Sequence, residues 1–400
     1  TGHQLVETAV PLELVPKMMA FFAAKGVDTW KAIPNMEQNV TQLDLLVPGE
    51  VAEELRKHPA VQGWKVRTEN MEAEIDQERQ RIAGGKPWDA SQPLDSFFDE
   101  YQPVGNFDTF MTELVERFDV ATHISIGKTT QDQSINGVML STGGSGKKDV
   151  YVQGCVHSRE WLACSSTIFF ILALAEGARS DYADLFEAVN FHIVPIVNKD
   201  GYEFTWTNNR MWRKNRRANP GGSFGVDLNR NWGPSSTWCS AGSSRDPRSD
   251  TYCGPEMFSE PETQGARDYS SELDLCAGFD MHTYSNLILW PFQWTRNRVT
   301  PATDYDFLVA VGALQAAAIL DVHGERYRSI QGSGLYPHSG GMIDYLWTKS
   351  VDAGQPIPVA TYEGRGRSFV APPSWIVPAG QEQLAGVLAA VREHCCVVCA

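Results

Sequence analysis

An α/β fold is what this sequence predicts: one large, mainly parallel sheet with helices over both faces, preceded by a small α+β unit. Helical and strand-like segments alternate from Asn106 to the C-terminus, the pattern of a sheet wound with crossover helices. Several strand-like runs are apolar nearly throughout, as in 190–197 (NFHIVPIV), which calls for cover on both faces of the sheet. A Gly84-Gly85 pair opens a turn-rich stretch (GGKPWDASQPLD) that separates the first unit from the second.

In the first unit, Met18 to Ala24 has a helical pattern and Thr41 to Val47 alternates like a half-buried strand. Val51 to His58 is again helical, Val61 to Val66 is strand-like, and Met71 to Ile82 (MEAEIDQERQRI) is a charged helix. The expected division is therefore 1–83 for this unit with its connecting helix, 84–95 for a linker, and 96–400 for the large domain. Arg79 and Arg81 stand just before the linker, where an endoprotease would cut; Lys86 precedes Pro87 and is a poor tryptic site.

In the large domain, Phe107, Phe110, Met111, Leu114 and Phe118 form a helical stripe over Asn106 to Phe118. Asp149 to Val156 reads as a strand, Trp161 to Glu176 as a buried helix, and Asn190 to Val197 as a strand. Ala277 to His282 reads as a further strand and Gln381 to Cys395 as a terminal helix. In such sheets, ligands sit at the carboxyl ends of the strands.

Composition narrows the partners. The 400 residues are 42% hydrophobic and 21% charged, the balance of a globular chain. With 34 basic against 49 acidic residues the net charge is −15, which disfavours nucleic acid and anionic membranes. The longest unbroken apolar run, Ile168 to Ala175, is eight residues, against the ~20 of a spanning helix, so a soluble monomer is expected. Eight cysteines are too sparse for a disulfide-built scaffold. Cys239 and Cys253 bracket a Ser/Gly/Asp/Pro-rich loop and are expected to pair, whereas the connectivity of Cys155, Cys164, Cys276, Cys395, Cys396 and Cys399 stays open. The sequon at Asn39 points to glycosylation and to a secreted protein; the sequence opens at Thr1 without a signal segment, which has been removed or never existed.

The chemistry is concentrated in a few segments. His157-Ser158-Arg159-Glu160 directly follows an apolar strand, and His282 ends another (AGFDMH). Two imidazoles and a carboxylate suit Zn2+ with one position open for water. Arg210, Arg213, Asn229 and Arg230 offer guanidinium forks and an amide inside an acidic domain, which suits recognition of a carboxylate; Lys214, Arg216 and Arg217 fit a solvated basic face. Tyr336 rides in a glycine-flanked loop (GSGLYPHSGG), the pattern of a lid, and Glu363 closes the strand-like PVATYE.

These segments resemble the zinc metallocarboxypeptidases of the carboxypeptidase A/B type in their zymogen form. HSREW at 157–161, NRMWRKNR at 209–216, DLNRNW at 227–232, FDMHTYSN at 279–286, LYPHSGGMID at 335–344 and TYEGR at 361–365 match in order and spacing. The resemblance implies an antiparallel inhibitory prodomain over the first unit, covering the active site until it is cleaved. It also implies a peptide hydrolase acting on the C-termini of peptides and proteins. By the same match, His157, Glu160 and His282 are ligands of a single zinc, and Asp227 orients His157. Glu363 is the general base, which takes a proton from the attacking water and passes it to the leaving amine. Arg213 stabilises the oxyanion; Asn229, Arg230 and Tyr336 clamp the terminal carboxylate; Arg159 and Arg210 line its approach.

The resemblance also maps the pocket for the last side chain. Ile343 occupies the position where an acid selects Lys or Arg, with Leu289 and Thr361 nearby, so apolar or aromatic ends are expected. Gln293, Gln331 and His338 map to the same pocket and make it more polar than that pattern. Asp344 lies one position out of register for a basic-selecting acid. Basic or broad specificity, or a zinc-binding pseudoenzyme on the same fold, are the alternatives.

Overall fold

The computed structural model describes residues 2–234 and 236–396, so Cys399 lies outside the described residues. They divide into two compact units, Thr1–Lys86 with Gly334–Tyr336, and Pro87–Ser333 with Pro337–Ala400.

The first unit runs β1 (His3–Pro11), α1 (Val15–Ala24), β2 (Asp28–Asn35), β3 (Val40–Pro48), α2 (Gly49–Arg56), β4 (Gln62–Thr68) and α3 (Met71–Gly84). The strands form an antiparallel sheet in the order β2-β3-β1-β4. Alternate residues Leu43, Leu45 and Val47 of β3 turn inward with Val6 and Val10 of β1, against Met18 and Phe22 of α1 and Leu55 of α2. The Asn70 side chain caps α3 by accepting the Ala73 N–H at 3.2 Å. Arg79 and Arg81 are exposed near the end of α3, and Asn39 is exposed in the β2–β3 turn at φ 54.

The second unit begins earlier than a linker ending at residue 95 implies. Trp88 is buried, its indole donates to Pro93 O at 3.1 Å, and its ring packs on Phe97 and Phe110. Its elements are α4 (Val104–Arg117), β5 (Ala121–Lys128), β6 (Ser134–Leu140), β7 (Lys148–Gly154), α5 (Trp161–Gly177), α6 (Ala183–Ala188), β8 (Val189–Val194) and α7 (Lys199–Thr207). There follow α8 (Pro261–Ser271), β9 (Leu275–Thr283), β10 (Leu287–Trp290), α9 (Ala302–His323), β11 (Arg328–Gln331), α10 (Met342–Asp352), β12 (Val359–Gly364) and α11 (Ile376–His394). β8 stops at Val194 because Pro195 has no N–H for the ladder.

The eight strands lie in the order β11-β10-β12-β9-β7-β8-β6-β5. The centre, β12-β9-β7-β8, is parallel, whereas β6 joins β8, β5 joins β6 and β10 joins β12 antiparallel. Consecutive residues Val150, Tyr151 and Val152 of β7 point to opposite faces and are all buried, so both faces are covered. α5, α9 and α11 pack together, and α10 packs on β9 and β12. By length and composition the 22-residue α9 could cross a bilayer, which unbroken apolar runs do not reveal; here it packs on α11, β10 and β11. Among the described residues, disulfides join Cys155 to Cys164, Cys239 to Cys253, and Cys276 to Cys395.

Candidate active site and metal centre

Three parallel neighbours deliver the site. In register, Gly154 at the end of β7 faces Met281, and His282 near the end of β9 faces Glu363 of β12. His157 and Glu160 lie in the turn between β7 and α5, so four polar side chains collect at one carboxyl edge of the sheet. The Cys155–Cys164 bridge closes the loop that holds both of these residues.

The geometry of the first three is that of a cation site. His157 Nδ1 lies 2.9 Å from Glu160 Oε1, and His282 Nδ1 lies 3.1 Å from Glu160 Oε2. The two Nδ1 atoms are 3.0 Å apart, and all three residues are buried. Each opposite ring nitrogen meets a carboxylate: His157 Nε2 is 3.1 Å from Asp227 Oδ1, and His282 Nε2 is 2.9 Å from Asp280 Oδ2. When each Nε2 donates its proton outward, both Nδ1 atoms turn lone pairs onto one point beside a carboxylate. Such a cluster is repulsive without a proton or cation between its members, and its donors are those zinc prefers. Among the described residues, His157, Glu160 and His282 form the one His/Cys/Asp/Glu group with this closeness, their ligand atoms lying within 4.8 Å of one another.

Charges around the cluster keep His157 and Glu160 in ligand form. At His282, by contrast, burial is outweighed by Asp280 and Glu160, which hold its pKa well above the ordinary value, so this ring keeps a proton that a bound cation would displace. Burial lowers the His157 pKa and the Arg213 guanidinium lowers it further, which favours neutral imidazole. Burial opposes ionisation of Glu160, but His157 and His282 outweigh it and hold the carboxyl below its ordinary range. Likewise Asp227, although buried, is held well below the carboxylate range by Arg213 and Arg230. Asp280, which holds His282, escapes a reading of the sequence aimed at the histidines. Its signal is the strand period, since residues two apart share a face. Gln153 Nε2 donates to Asp280 Oδ1 at 3.1 Å and fixes it in turn, and Thr283 N–H donates to Glu160 at 3.1 Å.

Glu363 is partly exposed. Desolvation and the Glu160 carboxylate push its pKa up to about 8, against His282 and Arg213; positive charge added at the cluster lowers it again. Arg213 reaches Asp227 Oδ2 through Nε at 3.1 Å and Nη2 at 2.9 Å. Arg230 donates to Gly242 O and Asn229 O and lies 3.7 Å from Asp227, which ties Asn229, Arg230 and Arg213 to one buried carboxylate. Gly340, at φ 84, brings its backbone so close to Arg230 that a Cβ would strike the Arg230 main chain.

Other candidates fall differently from expectation. Arg210 does not line an approach for substrate: it is buried, donates to Arg159 O and Phe369 O at 2.8 Å each, and stacks 3.8 Å over Trp161. Arg159 is buried as well, 4.4 Å over the Phe369 ring. Nor do Lys214, Arg216 and Arg217 make a solvated face. Lys214 donates to Pro247 O and Ser249 O, Arg216 stacks on Phe204 at 3.6 Å, and Arg217 pairs with Glu260 at 2.8 Å. Tyr336 belongs to the three-residue segment that groups with the first unit.

Around the expected pocket, Leu289 pairs with Thr361 across β10 and β12, and Thr361, two residues before Glu363, shares its face. Leu289, Thr361, Ile343, Gln293 and His338 are all buried. Gln331 is diverted: its amide donates to Phe292 O, Thr295 O and Asn297 O and braces that loop. Asp344 accepts the Gln293 N–H at 3.0 Å on each oxygen, so it is engaged with the backbone, and burial pushes its pKa up to about 7.

Comparison with known proteins agrees with this geometry. A family model described as zinc carboxypeptidase matches residues 107–386. Carboxypeptidase O of Bos taurus is 31% identical over 346 residues, which cover 83% of this chain and 88% of that protein. A metallocarboxypeptidase A-like protein of Trichophyton verrucosum is 32% identical over 384 residues, 91% of this chain and 87% of its own. The crystal structure of the carboxypeptidase A from Helicoverpa armigera matches with a TM-score of 0.84 at 27% identity, covering 99% of this chain and 98% of that one.

Proposed function

Because the chain belongs to the zinc carboxypeptidase family, we propose that it releases single uncharged residues, apolar or aromatic, from the C-termini of peptides and proteins. The observation that carries this reading is the convergence of His157, Glu160 and His282 at one strand edge, with Glu363 beside them in register.

His157, Glu160 and His282 would hold one zinc ion. When bound, zinc supplies Lewis acidity, polarising the attacking water and the scissile carbonyl. Asp227 and Asp280 hold the two rings through Nε2 and keep their Nδ1 atoms aimed inward. Glu363 accepts the proton of the attacking water at a carboxylate oxygen and returns it to the leaving amine. Burial and Glu160 raise its pKa, and the positive charge of a bound cation would bring it down to where the carboxylate can act as a base near neutral pH. Arg213, steadied by Asp227, donates to the developing oxyanion, a contribution of about 3 kcal/mol. Asn229 and Arg230 grip the terminal carboxylate, so an internal peptide bond offers nothing to hold. Ile343 and Leu289 present apolar surface to the last side chain, and the engagement of Asp344 with Gln293 N–H speaks against a basic preference.

The N-terminal unit, 1–83, is proposed as an inhibitory prosegment of a secreted zymogen that an endoprotease removes near Arg79 and Arg81. Its independent sheet and core, and the exposed arginines near the end of α3, support that reading.

The test is a pair of peptides ending in Phe, one with a free and one with an amidated C-terminus, with and without chelator and before and after limited proteolysis. Only the free peptide should lose its Phe, and chelator should abolish the loss. Equal cleavage of the amidated peptide, or faster release of Lys than of Phe or Leu, would overturn the assignment.

A further inference from the structure

We propose that Gln293 makes the pocket read a neutral hydrogen-bonding group on the departing residue, so that glutamine is released in preference to methionine and tyrosine in preference to phenylalanine. The inference rests on the carboxypeptidase reading above and replaces its apolar preference with one for neutral ends that carry a hydrogen-bonding tip.

Gln293 is 1% exposed, yet among the described residues neither its amide oxygen nor its amide nitrogen has a hydrogen-bond partner. Buried amides are almost always paired, because an unpaired one forfeits the bonds it made to water. Loose local structure does not explain the exception. The Gln293 N–H donates to both Asp344 oxygens at 3.0 Å, and its carbonyl accepts the His338 N–H at 2.9 Å. The backbone is therefore anchored on both sides while the amide is left open.

The surroundings place that amide next to the carboxylate clamp. A Cβ on Gly332 would come within 2.6 Å of Gln293 Cγ. On the other side, a Cβ on Gly341 would run into Gln293 Oε1 and lie 2.9 Å from Asn229 Oδ1. Glycine at both positions leaves room for the glutamine, and Gly341 is flanked by the amides of Gln293 and Asn229 together. Thr361 repeats the pattern: it is buried, its hydroxyl has no partner among the described residues, and it shares a strand face with Glu363. Two polar groups without partners among the described residues thus stand near the expected pocket: Thr361 in register with Leu289, and Gln293 beside Asn229, the residue assigned to the substrate's terminal carboxylate. An apolar end seals them off from water without replacing the lost bonds; an amide or hydroxyl tip replaces them. Sites built this way discriminate against isosteres that lack the polar group.

Four peptides that differ only in their last residue, Gln against Met and Tyr against Phe, test the proposal on the activated enzyme with zinc bound. The expected result is a ratio of kcat/KM of about tenfold or more for Gln over Met, with Tyr over Phe in the same direction. Gln293→Leu should bring both ratios close to one. Gln293→Ala gives the same reading should leucine disturb folding, since the ratio is read rather than the absolute rate. Wild-type preference for Met and Phe overturns the proposal, and so do ratios that persist in both variants. Either result leaves the carboxypeptidase reading standing, whereas release of no residue from any of the four peptides would overturn both.

Discussion

The two ends of the site are finished to different degrees. At the histidine end, all four imidazole nitrogens and both Glu160 oxygens have partners, and each partner is itself held. At the pocket end, the Gln293 amide and the Thr361 hydroxyl are buried with none among the described residues. The contrast follows from what each end must do. A metal centre works only if its ligands are already in place, because ordering them on binding would subtract from affinity. A recognition pocket gains selectivity from groups that only the right ligand can satisfy. The protein therefore completes its polar network where chemistry occurs and leaves it open where choice occurs.

The hardest test of that division is at Glu363. Glu363→Gln keeps the shape but cannot accept a proton, so kcat should fall by about 10³-fold or more while zinc content, read by elemental analysis, stays at one ion per chain. Loss of zinc together with activity would instead make Glu363 part of the metal end. Next is Arg230→Ala, expected to lower kcat/KM by on the order of 10²-fold and to shrink the gap between free and amidated peptides. An undiminished gap would remove Arg230 from the clamp. A smaller effect is expected at Asp280. Asp280→Asn should weaken zinc binding by about 10–100-fold, measured by competition with a chelator, because His282 loses the carboxylate that orients it. Unchanged affinity would show that the strand alone aims the ring.

How far the site could be read from residues alone follows the same line. The segments carrying His157, Glu160, His282 and Glu363 are short and contiguous, and each sits at a strand end that hydrophobic patterning already marks. The parallel order that brings β7, β9 and β12 together makes them converge. Partners set by distant contacts were not legible in this way. Arg210 and Arg213 stand in one basic segment, yet Arg210 ends against Trp161 and two carbonyls while Arg213 ends on Asp227. Gln331 and Gln293 both map to one pocket, but only the loop geometry decides that the first braces carbonyls and the second stays open. The short strands β10 and β11, and the antiparallel β1 and β2, likewise carry too few residues or too mixed a pattern to declare themselves.

The smallest predicted effect concerns Asp344, which lies at the pocket end yet has its oxygens occupied, so it belongs with the structural network. Burial raises its pKa from an ordinary 3.8 to about 7, against the N–H groups of Gln293 and Trp294, so the fold binds this proton more tightly than the unfolded chain does. A raised folded-state pKa places the stabilising contribution at low pH: it is fully present below about pH 4 and is lost as pH rises through about 7. Unfolding midpoints in denaturant should therefore fall across that interval. Asp344→Asn, which can still accept the Gln293 N–H but does not ionise, should flatten the decline by on the order of 2 kcal/mol. The same variant should leave zinc affinity alone, because Asp344 is bonded to the pocket loop and not to the histidine cluster. A pH profile identical in wild type and variant would mean that the Asp344 proton is not what the folded state holds, and a drop in zinc affinity would mean that the two ends are coupled through this loop.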